Sequence, residues 1–245
     1  MARLLFAGSL AAIALATSAA MPAGADNFRS RLDDDGKRFG TVWTDTGRFE
    51  ALTAAGMDDV SVTTGDSWRI RATGDTRALA QLRFMVEDGA LIVGRIANQR
   101  DRYGKAKIEV TAPALRGVTA AGSGMVEVEQ ITGDRASATV AGSGRTTVRR
   151  VDAQRLSATI AGSGGLGLSG RSTRADVTIA GSGQLAGENF TTQSANITVA
   201  GSGGGRFRSP GEVSASIVGS GTVTVTGTTA CRQTRMGSGR LVCAQ

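Results

Sequence analysis

The chain has 245 residues and a formal net charge of +7, with 28 lysines and arginines against 21 aspartates and glutamates. It contains no histidine, so a Ser-His-Asp triad is excluded, and the most common general base and zinc ligand are missing. Aromatic residues make up only 4% of the chain, while 35 residues are glycine. A narrow coil built from small side chains would produce this bias.

The N-terminus has the pattern of a secretory signal peptide over residues 1–25. Arg3 supplies a positive charge, residues 4–20 are apolar and rich in alanine, and Ala23-Gly24-Ala25 fits the small-x-small cleavage rule. We predict cleavage after Ala25 and export to the periplasm or to the outer-membrane or cell surface. An uncleaved membrane anchor is the alternative, and no later segment is apolar enough to span a bilayer. Residues 26–45 carry many charges and are expected to form a flexible, solvated leader.

Residues 46–245 are expected to form a single domain. Gly56 is flanked by apolar residues two and four before it and four and six after it, which indicates a degenerate first turn of a repeat. Gly56 and Gly122 are 66 residues apart, which leaves room for about three more turns. Alternating apolar residues predict strands over 68–72, 82–86, 91–93 and 107–110. Between them, a basic loop around Tyr103 is expected, with Arg100, Arg102, Lys105 and Lys107.

A Gly-Ser-Gly tripeptide recurs seven times in the second half of the chain, at intervals of 16 to 20 residues. The copies begin at Gly122, Gly142, Gly162, Gly181, Gly201, Gly219 and Gly237. A fixed period of this size is typical of stacked-repeat proteins. Glycine suits a tight corner because it reaches a positive φ at little cost.

The residues around each tripeptide alternate with period two. Small apolar residues stand two, four and six positions before the first glycine, and apolar residues also stand four and six positions after it in most copies. The position three before the glycine is threonine or serine in every copy. This alternation predicts half-buried strands on both sides of each corner. We therefore predict an all-β solenoid, single-stranded and of the right-handed β-helix type, with coils of about 20 residues and two or three short strands per coil.

The apolar columns are expected to fill the interior completely. No polar group would then be left inside to contact a substrate, so any binding would use the outer surface. A Gly-rich stretch at residues 162–167 matches a dinucleotide-binding fingerprint in its letters, but it lies inside a β repeat with no helix after it. The residues that follow the tripeptides are not aspartates, so calcium-binding β-roll repeats are not predicted either. We expect no cofactor, no metal and no specific nucleic-acid site.

The two cysteines stand symmetrically about the last corner. Cys231 lies six residues before Gly237 and Cys243 six residues after it, both in columns that are expected to face the core. Because an exported chain meets an oxidising environment, we predict a disulfide between them. Two buried free thiols are the alternative.

The basic charge favours attraction to polyanions such as lipopolysaccharide, acidic glycans or nucleic acid. Candidate contacts are Arg149 and Arg150, together with Arg100, Arg102, Lys105 and Lys107. The alternative is an ordinary solvated surface. Opposite charges at Glu129 and Arg149, and at Glu188 and Arg208, are expected to pair across neighbouring strands, which supports this alternative.

Several motifs together resemble a known bacterial family. They are Phe49-Glu50-Ala51-Leu52, Val60-Ser61-Val62, Asp88-Gly89-Ala90-Leu91, the run from Ile108 to Leu115, and the Ala/Val-Gly-Ser-Gly series. This set resembles the head domain of auto-transporter adhesins, the GIN domain, over about residues 48–245. The resemblance implies an all-β solenoid, an envelope or surface location and a role in adhesion, with no catalytic residues. Many relatives have an aspartate after the tripeptide, and this chain lacks it.

We expect a non-enzymatic, exported binding module, with envelope glycans, lipopolysaccharide or a surface protein as partners. A structural envelope protein without a dedicated ligand is one alternative. A carbohydrate-active β-helix enzyme is another, but it would need paired carboxylates or an arginine base beside bound calcium, and the outward acids are scattered.

Overall fold

A computed structural model describes residues 32, 35–38, 42–44, 46–96 and 104–245. The predicted all-β solenoid is confirmed, and it has about six turns. Among these residues, no helix is long and apolar enough to cross a bilayer. The signal peptide predicted for residues 1–25 lies outside the described residues.

Eighteen strands and one short helix make up the described part of the chain. The N-terminal elements are β1 (Lys37–Arg38), β2 (Val42–Trp43), β3 (Ala51–Gly56), β4 (Asp59–Thr64), β5 (Arg69–Gly74), α1 (Thr76–Gln81), β6 (Leu82–Glu87), β7 (Ala90–Arg95), β8 (Ala106–Ala112) and β9 (Gly117–Gly122). The repeat elements are β10 (Met125–Gly142), β11 (Arg145–Gly162), β12 (Gly165–Gly181), β13 (Gln184–Gly201), β14 (Gly204–Arg208), β15 (Val213–Gly219), β16 (Thr222–Thr226), β17 (Cys231–Met236) and β18 (Arg240–Ala244).

The repeats stack as parallel strands in register. Strand β10 pairs with β11, β11 with β12 and β12 with β13, so that Gly142, Gly162, Gly181 and Gly201 lie side by side. After β13 each coil is divided into two strands, and β14–β15 and then β16–β17 continue the stack. Residues at the same offset in successive coils therefore form columns, as the sequence pattern predicts.

Each complete coil has three sides separated by two bends. In β11 the alternation of buried and exposed residues is interrupted where two consecutive residues are both exposed, at Arg149-Arg150 and at Gln154-Arg155. We call these the first and second bends, and the short stretch between them the second side. The same two interruptions occur in β10 and β13. In β12 a register shift shortens the first bend, and Gly170 takes a φ of +108° there. The Gly-Ser-Gly corner closes the coil.

The interior is filled mainly by Val, Ile, Leu and Ala, but the prediction of a wholly apolar interior is wrong. Thr146, Ser172 and Thr192 point inward and are almost fully buried. The Ser172 hydroxyl donates to Thr192 Oγ1 at 3.0 Å, and the Thr192 hydroxyl donates to the carbonyl of Ser194 at 3.0 Å. Two small hydroxyl side chains can therefore replace apolar ones when they hydrogen-bond to each other and to the backbone.

The order of stacking near the N-terminus differs from the order of the sequence. Gly56 is the first turn that we expected, but it lies directly beside Gly122, because β3 pairs with β9 and β4 with β10. The prediction of about three turns between them is wrong. The intervening chain forms one further coil, β7 with β8, on the opposite side of β3 and β4. The rest of that segment runs antiparallel, with β6 against β7 and β5 against β8.

The antiparallel strands and α1 cover the N-terminal end of the stack. The strands predicted over 68–72, 82–86, 91–93 and 107–110 correspond to β5, β6, β7 and β8. Helix α1 was not predicted; Asp75 caps it by accepting hydrogen bonds from the backbone N–H groups of Arg77 and Ala78. In the segment for which we expected a leader, β1 pairs with β6, β2 pairs with β5, and Leu32 is buried.

The predicted disulfide is present between Cys231 and Cys243, whose Cα atoms are 6.7 Å apart. It joins β17 to β18 across the interior of the last coil. Both strands pair with the preceding coil on one side only among the described residues. The bond therefore ties together the two halves of the coil that has the fewest backbone hydrogen bonds.

Candidate binding surface

The candidate cations Arg149 and Arg150 occupy the first bend of β11, and both are exposed. Arg149 Nη2 is 3.0 Å from Glu127 Oε2. The prediction that Arg149 pairs with Glu129 is wrong. The Glu129 carboxylate instead accepts a 2.7 Å hydrogen bond from the backbone N–H of Thr64. Arg150 makes no ion pair with any of the described residues, so its guanidinium remains available to a ligand.

None of the remaining candidate cations is on β11. Lys105 precedes β8 and Lys107 is on it; Lys105 Nζ is 3.1 Å from Asp59 Oδ1, and Lys107 Nζ is 3.2 Å from Glu109 Oε1. Arg100 and Arg102 lie outside the described residues. The second predicted cross-strand pair also has a different partner, since Glu188 lies 3.9 Å from Arg206 rather than pairing with Arg208.

An open groove of about 600 Å³ runs over the second side of three successive coils. Its walls are formed by parts of β11, β12 and β13, between the first and second bends. The residues that line it are Arg150, Val151, Asp152, Ala153, Gln154, Gly170, Arg171, Ser172, Thr173, Thr191 and Gln193.

Hydrogen bonds between neighbouring coils hold the polar groups of the groove in place. Arg171 Nε donates to Asp152 Oδ1 at 3.2 Å, and the Thr173 hydroxyl donates to Gln154 Oε1 at 2.9 Å. The remaining amide and guanidinium groups can donate to a ligand, and the hydroxyl and carboxylate oxygens can accept from one. This mixture of donors and acceptors suits sugar hydroxyls and anionic groups.

The groove lacks the arrangement that glycoside hydrolysis requires. Such enzymes use two carboxyl groups that flank the scissile bond. Asp152 is the one carboxylate among the lining residues, and Arg171 already neutralises it. No group of three or more cysteine, aspartate and glutamate side chains in the described part of the chain is arranged to hold a metal ion.

The described interior of the solenoid is filled mainly by packed columns of apolar side chains. A cavity of about 10 Å³ lies near Val60 and Val126, which is room for about one water molecule. An acyl chain would need far more space. The outer groove is therefore the better candidate for ligand binding.

A buried ion pair connects the Gly56 corner to β7. Asp58 replaces the third residue of the Gly-Ser-Gly corner, and its carboxylate binds the Arg95 guanidinium of β7, with 2.7 Å between Asp58 Oδ2 and Arg95 Nε. The backbone N–H of Ala106 donates to the same carboxylate at 2.8 Å. The hydrogen bond with Asp58 raises the pKa of Arg95 and outweighs its partial burial. These contacts fasten the out-of-order coil of β7 and β8 to the corner.

The chain matches the model of one protein family, described as "Putative auto-transporter adhesin, head GIN domain", over residues 48–229. No curated protein matches the chain in sequence.

Three solved structures with a similar fold come from the bacterial genera Bacteroides and Parabacteroides. A putative adhesin from Bacteroides fragilis is 20% identical with a TM-score of 0.75, and the match covers 85% of this chain and 99% of that one. A putative adhesin from Parabacteroides merdae is 21% identical with a TM-score of 0.66, over 84% and 97%. A protein from Parabacteroides distasonis described as a putative lipid binding protein is 22% identical with a TM-score of 0.66, over 86% and 98%. At these identities the likeness establishes the fold alone.

Proposed function

Since the chain belongs to the GIN domain family of adhesin heads, we propose that it is an exported, non-enzymatic binding module that contacts its ligand through its outer surface. The observation that carries the proposal is the polar groove over β11, β12 and β13. The parallel register fixes the spacing of its residues, and hydrogen bonds between coils hold Asp152, Gln154, Arg171 and Thr173 in place before a ligand arrives. Such preorganisation reduces the entropic cost of binding.

The proposed ligand is a polyanion of the cell envelope, such as lipopolysaccharide or an acidic glycan. Arg150 at the first bend supports this because it lines the groove without an acidic partner. Arg149 stands beside it and would contribute after exchanging Glu127 for the ligand. A surface protein with an acidic face is a further possible partner of the same chemistry.

The proposal places the protein in the periplasm or at the outer-membrane or cell surface, on the basis of the N-terminal signal pattern. It also assigns no catalytic activity. The absence of histidine and the single neutralised carboxylate of the groove support this assignment. A structural envelope protein without a dedicated ligand is the competing function.

Titration of the purified protein with lipopolysaccharide and with an acidic glycan, at two salt concentrations, tests the proposal. We expect binding that weakens steeply as salt increases, because counterions are released when arginines contact a polyanion. The double variant Arg149→Glu/Arg150→Glu is expected to bind more weakly with a nearly unchanged melting temperature. Arg232→Glu/Arg240→Glu, which makes the same change of charge on the last coil, is the matched control. Absence of binding, or binding independent of salt, would favour the structural function.

A further inference from the structure

Three arginines stack in register at the second bend, and none of them was among the candidate contacts. Arg135 lies opposite Arg155 in the pairing of β10 with β11, and Arg155 lies opposite Arg174 in the pairing of β11 with β12. All three side chains are exposed. Neighbouring strands are roughly 4.8 Å apart, so the three residues form a regular row of positive charge along the solenoid axis. We call this row the arginine ladder.

The arginine ladder is electrostatically unusual for this protein. Elsewhere on β10 to β14, three pairs of opposite charges join neighbouring coils, namely Glu127 with Arg149, Asp152 with Arg171 and Glu188 with Arg206. The ladder arginines make no ion pair or hydrogen bond with any of the described residues. Like charges in register on adjacent strands repel each other. The row is therefore a site where a bound anion would relieve repulsion as well as gain attraction.

Two acidic residues lie near the arginine ladder without neutralising it. Asp134 precedes Arg135 and is exposed, but no ion pair joins the two. Asp176 lies on the same face as Arg174, two residues further along β12, where its carboxylate accepts a 3.0 Å hydrogen bond from Asn196 Nδ2. The net charge of the row stays positive.

The position of the arginine ladder connects it to the groove. Gln154 and Thr173 line the groove, and Arg155 and Arg174 follow them directly in the sequence. Arg155 and Arg174 therefore stand at the rim of the groove at the second bend, Arg135 continues the row onto β10 beyond the lining residues, and Arg150 lies at the first bend on the opposite side. An extended anionic chain in the groove would have guanidinium groups on both sides, and polar side chains beneath it.

We propose that the groove and the arginine ladder together bind one chain of an acidic polysaccharide that lies parallel to the solenoid axis, with successive anionic groups contacting successive coils. This inference rests on the proposed function and specifies its ligand class and binding direction. A sugar chain fits better than a nucleic acid because no aromatic side chain lines the groove. Single-stranded nucleic acids are usually bound by base stacking on aromatic rings, whereas Gln154, Thr173 and Gln193 can hydrogen-bond to sugar hydroxyls.

The test uses polygalacturonate oligomers of defined lengths as the probe, with their methyl esters as uncharged controls. We compare wild type with Arg135→Gln/Arg155→Gln/Arg174→Gln, and with Arg232→Gln/Arg235→Gln/Arg240→Gln, which removes the same charge from the last coil. We expect the ladder variant to lose about tenfold or more in affinity and to show a weaker salt dependence, because three arginine–carboxylate contacts, and the counterion release that accompanies them, are removed. The last-coil variant should bind nearly as tightly as wild type.

The affinity of wild type should increase with oligomer length until the oligomer spans the three arginines and should then level off, and the methyl esters should not bind. Equal losses in the two triple variants, or wild-type affinity in the ladder variant, would overturn the inference while leaving polyanion binding intact. Equal or tighter binding of an oligothymidine of matched charge would overturn the choice of a polysaccharide. If wild type binds no charged oligomer and no lipopolysaccharide, the proposed function fails as well.

Discussion

Both glycines of each corner lie against the neighbouring coil, and the first also takes a backbone conformation that favours glycine; a Cβ added at Gly181 would stand 2.5 Å from the carbonyl oxygen of Gly162. The first has a positive φ in every copy, for example +110° at Gly181, a conformation that other residues rarely adopt. The third has an ordinary φ, but its α-carbon lies against the coil below. A Cβ added at Gly183 would stand 2.8 Å from the carbonyl oxygen of Gly164 and closer still to the side chain of Ile160. The serine between them is exposed and meets neither restriction.

Substitution of either glycine should therefore destabilise the fold. We expect Gly183→Ala to cost about 1–3 kcal/mol through steric overlap, and Gly181→Ala to cost at least as much, because backbone strain adds to its overlap with Gly162. Ser182→Ala should be nearly neutral. Thermal and urea unfolding of the three variants measure this. If all three unfold alike, the steric explanation of the tripeptide is incorrect.

Thr146 is a polar residue in the core column that contains Val126 and Leu166. Its side chain is fully buried, and its hydroxyl has no hydrogen-bond partner among the described residues. A buried hydroxyl without a partner loses its hydration and gains nothing in return. A valine of nearly the same shape would avoid this loss.

We expect Thr146→Val to stabilise the protein by about 1 kcal/mol, because it removes the unsatisfied hydroxyl without opening a cavity. Thr147→Val, on the adjacent outward-facing residue, is the matched control and should have a much smaller effect. Urea unfolding of both variants provides the comparison. A destabilised Thr146→Val variant would indicate that the hydroxyl makes a contact that stabilises the fold.

At the residue scale, the sequence predicted the columns but not every contact. The apolar columns followed from strict alternation, because inward residues must be apolar when a strand is half buried. The arginine ladder could also have been found, since Arg135, Arg155 and Arg174 each stand seven residues before a corner glycine. The ion-pair partners of Arg149 and Glu188 could not have been predicted. A long side chain reaches the residue two positions along the neighbouring strand as easily as the residue directly opposite.

At the scale of elements, the buried pair of Asp58 and Arg95 secures the coil that stacks out of order. The side chains of these residues are only 6% and 13% exposed, and Asp58 also accepts from the backbone of Ala106. Removal of one member of a buried pair leaves the other charge without compensation. Asp59, the next residue, makes an exposed pair with Lys105 and offers a natural control.

We expect Asp58→Ala to cost about 3–5 kcal/mol. Asp59→Ala should cost less than about 1 kcal/mol, because exposed ion pairs contribute little. Hydrogen exchange should show the loss of protection in the Asp58 variant centred on β7 and β8. Equal losses of stability in the two variants would show that burial does not determine how much the pair of Asp58 and Arg95 stabilises the fold.

The disulfide is expected to act locally rather than on the whole molecule. Each coil of a solenoid contacts only its neighbours, so stabilisation of the last coil spreads weakly through the stack. A loop of this length corresponds to about 3 kcal/mol of chain entropy, which would be lost mainly from β17 and β18.

We expect Cys231→Ser/Cys243→Ser to increase hydrogen exchange in β17 and β18 while β10 to β13 keep their protection. Alkylation and mass spectrometry of the native exported protein should find no free thiol in wild type. Two reactive thiols in the native protein would contradict the disulfide, and exchange that rises equally in all coils would contradict its local effect.

The stacking order of the N-terminal coils could not be predicted from the sequence pattern. The alternating runs located β5 to β8 well, since each strand carries its own apolar periodicity. Which strand lies beside which depends on contacts between residues far apart in the sequence, such as Asp58 with Arg95. A degenerate corner such as Gly56-Met57-Asp58 contains no local signal for those contacts. Helix α1, in contrast, had a readable cap in Asp75 followed by good helix formers.

At the scale of the whole molecule, the solenoid presents side chains on its outer surface at regular intervals along its axis. Its register repeats polar and charged groups at nearly constant spacing, and the second side carries a groove between Arg150 at the first bend and the arginine ladder at the second. Six arginines, two aspartates and one glutamate belong to this side and its bends on β10 to β12. Because the interior is packed, binding of a ligand here need not change the conformation of the coils.

Chemical footprinting of arginines tests the central claim of an external polyanion site most directly. An arginine-specific dicarbonyl reagent is applied with and without an acidic oligosaccharide, and modification is mapped by mass spectrometry. We expect protection of the groove arginines and the ladder arginines, with unchanged reactivity on the last coil. The first set is Arg135, Arg150, Arg155, Arg171 and Arg174, and the second is Arg232, Arg235 and Arg240. Protection spread evenly over both sets, or none despite measurable binding, would contradict the claim.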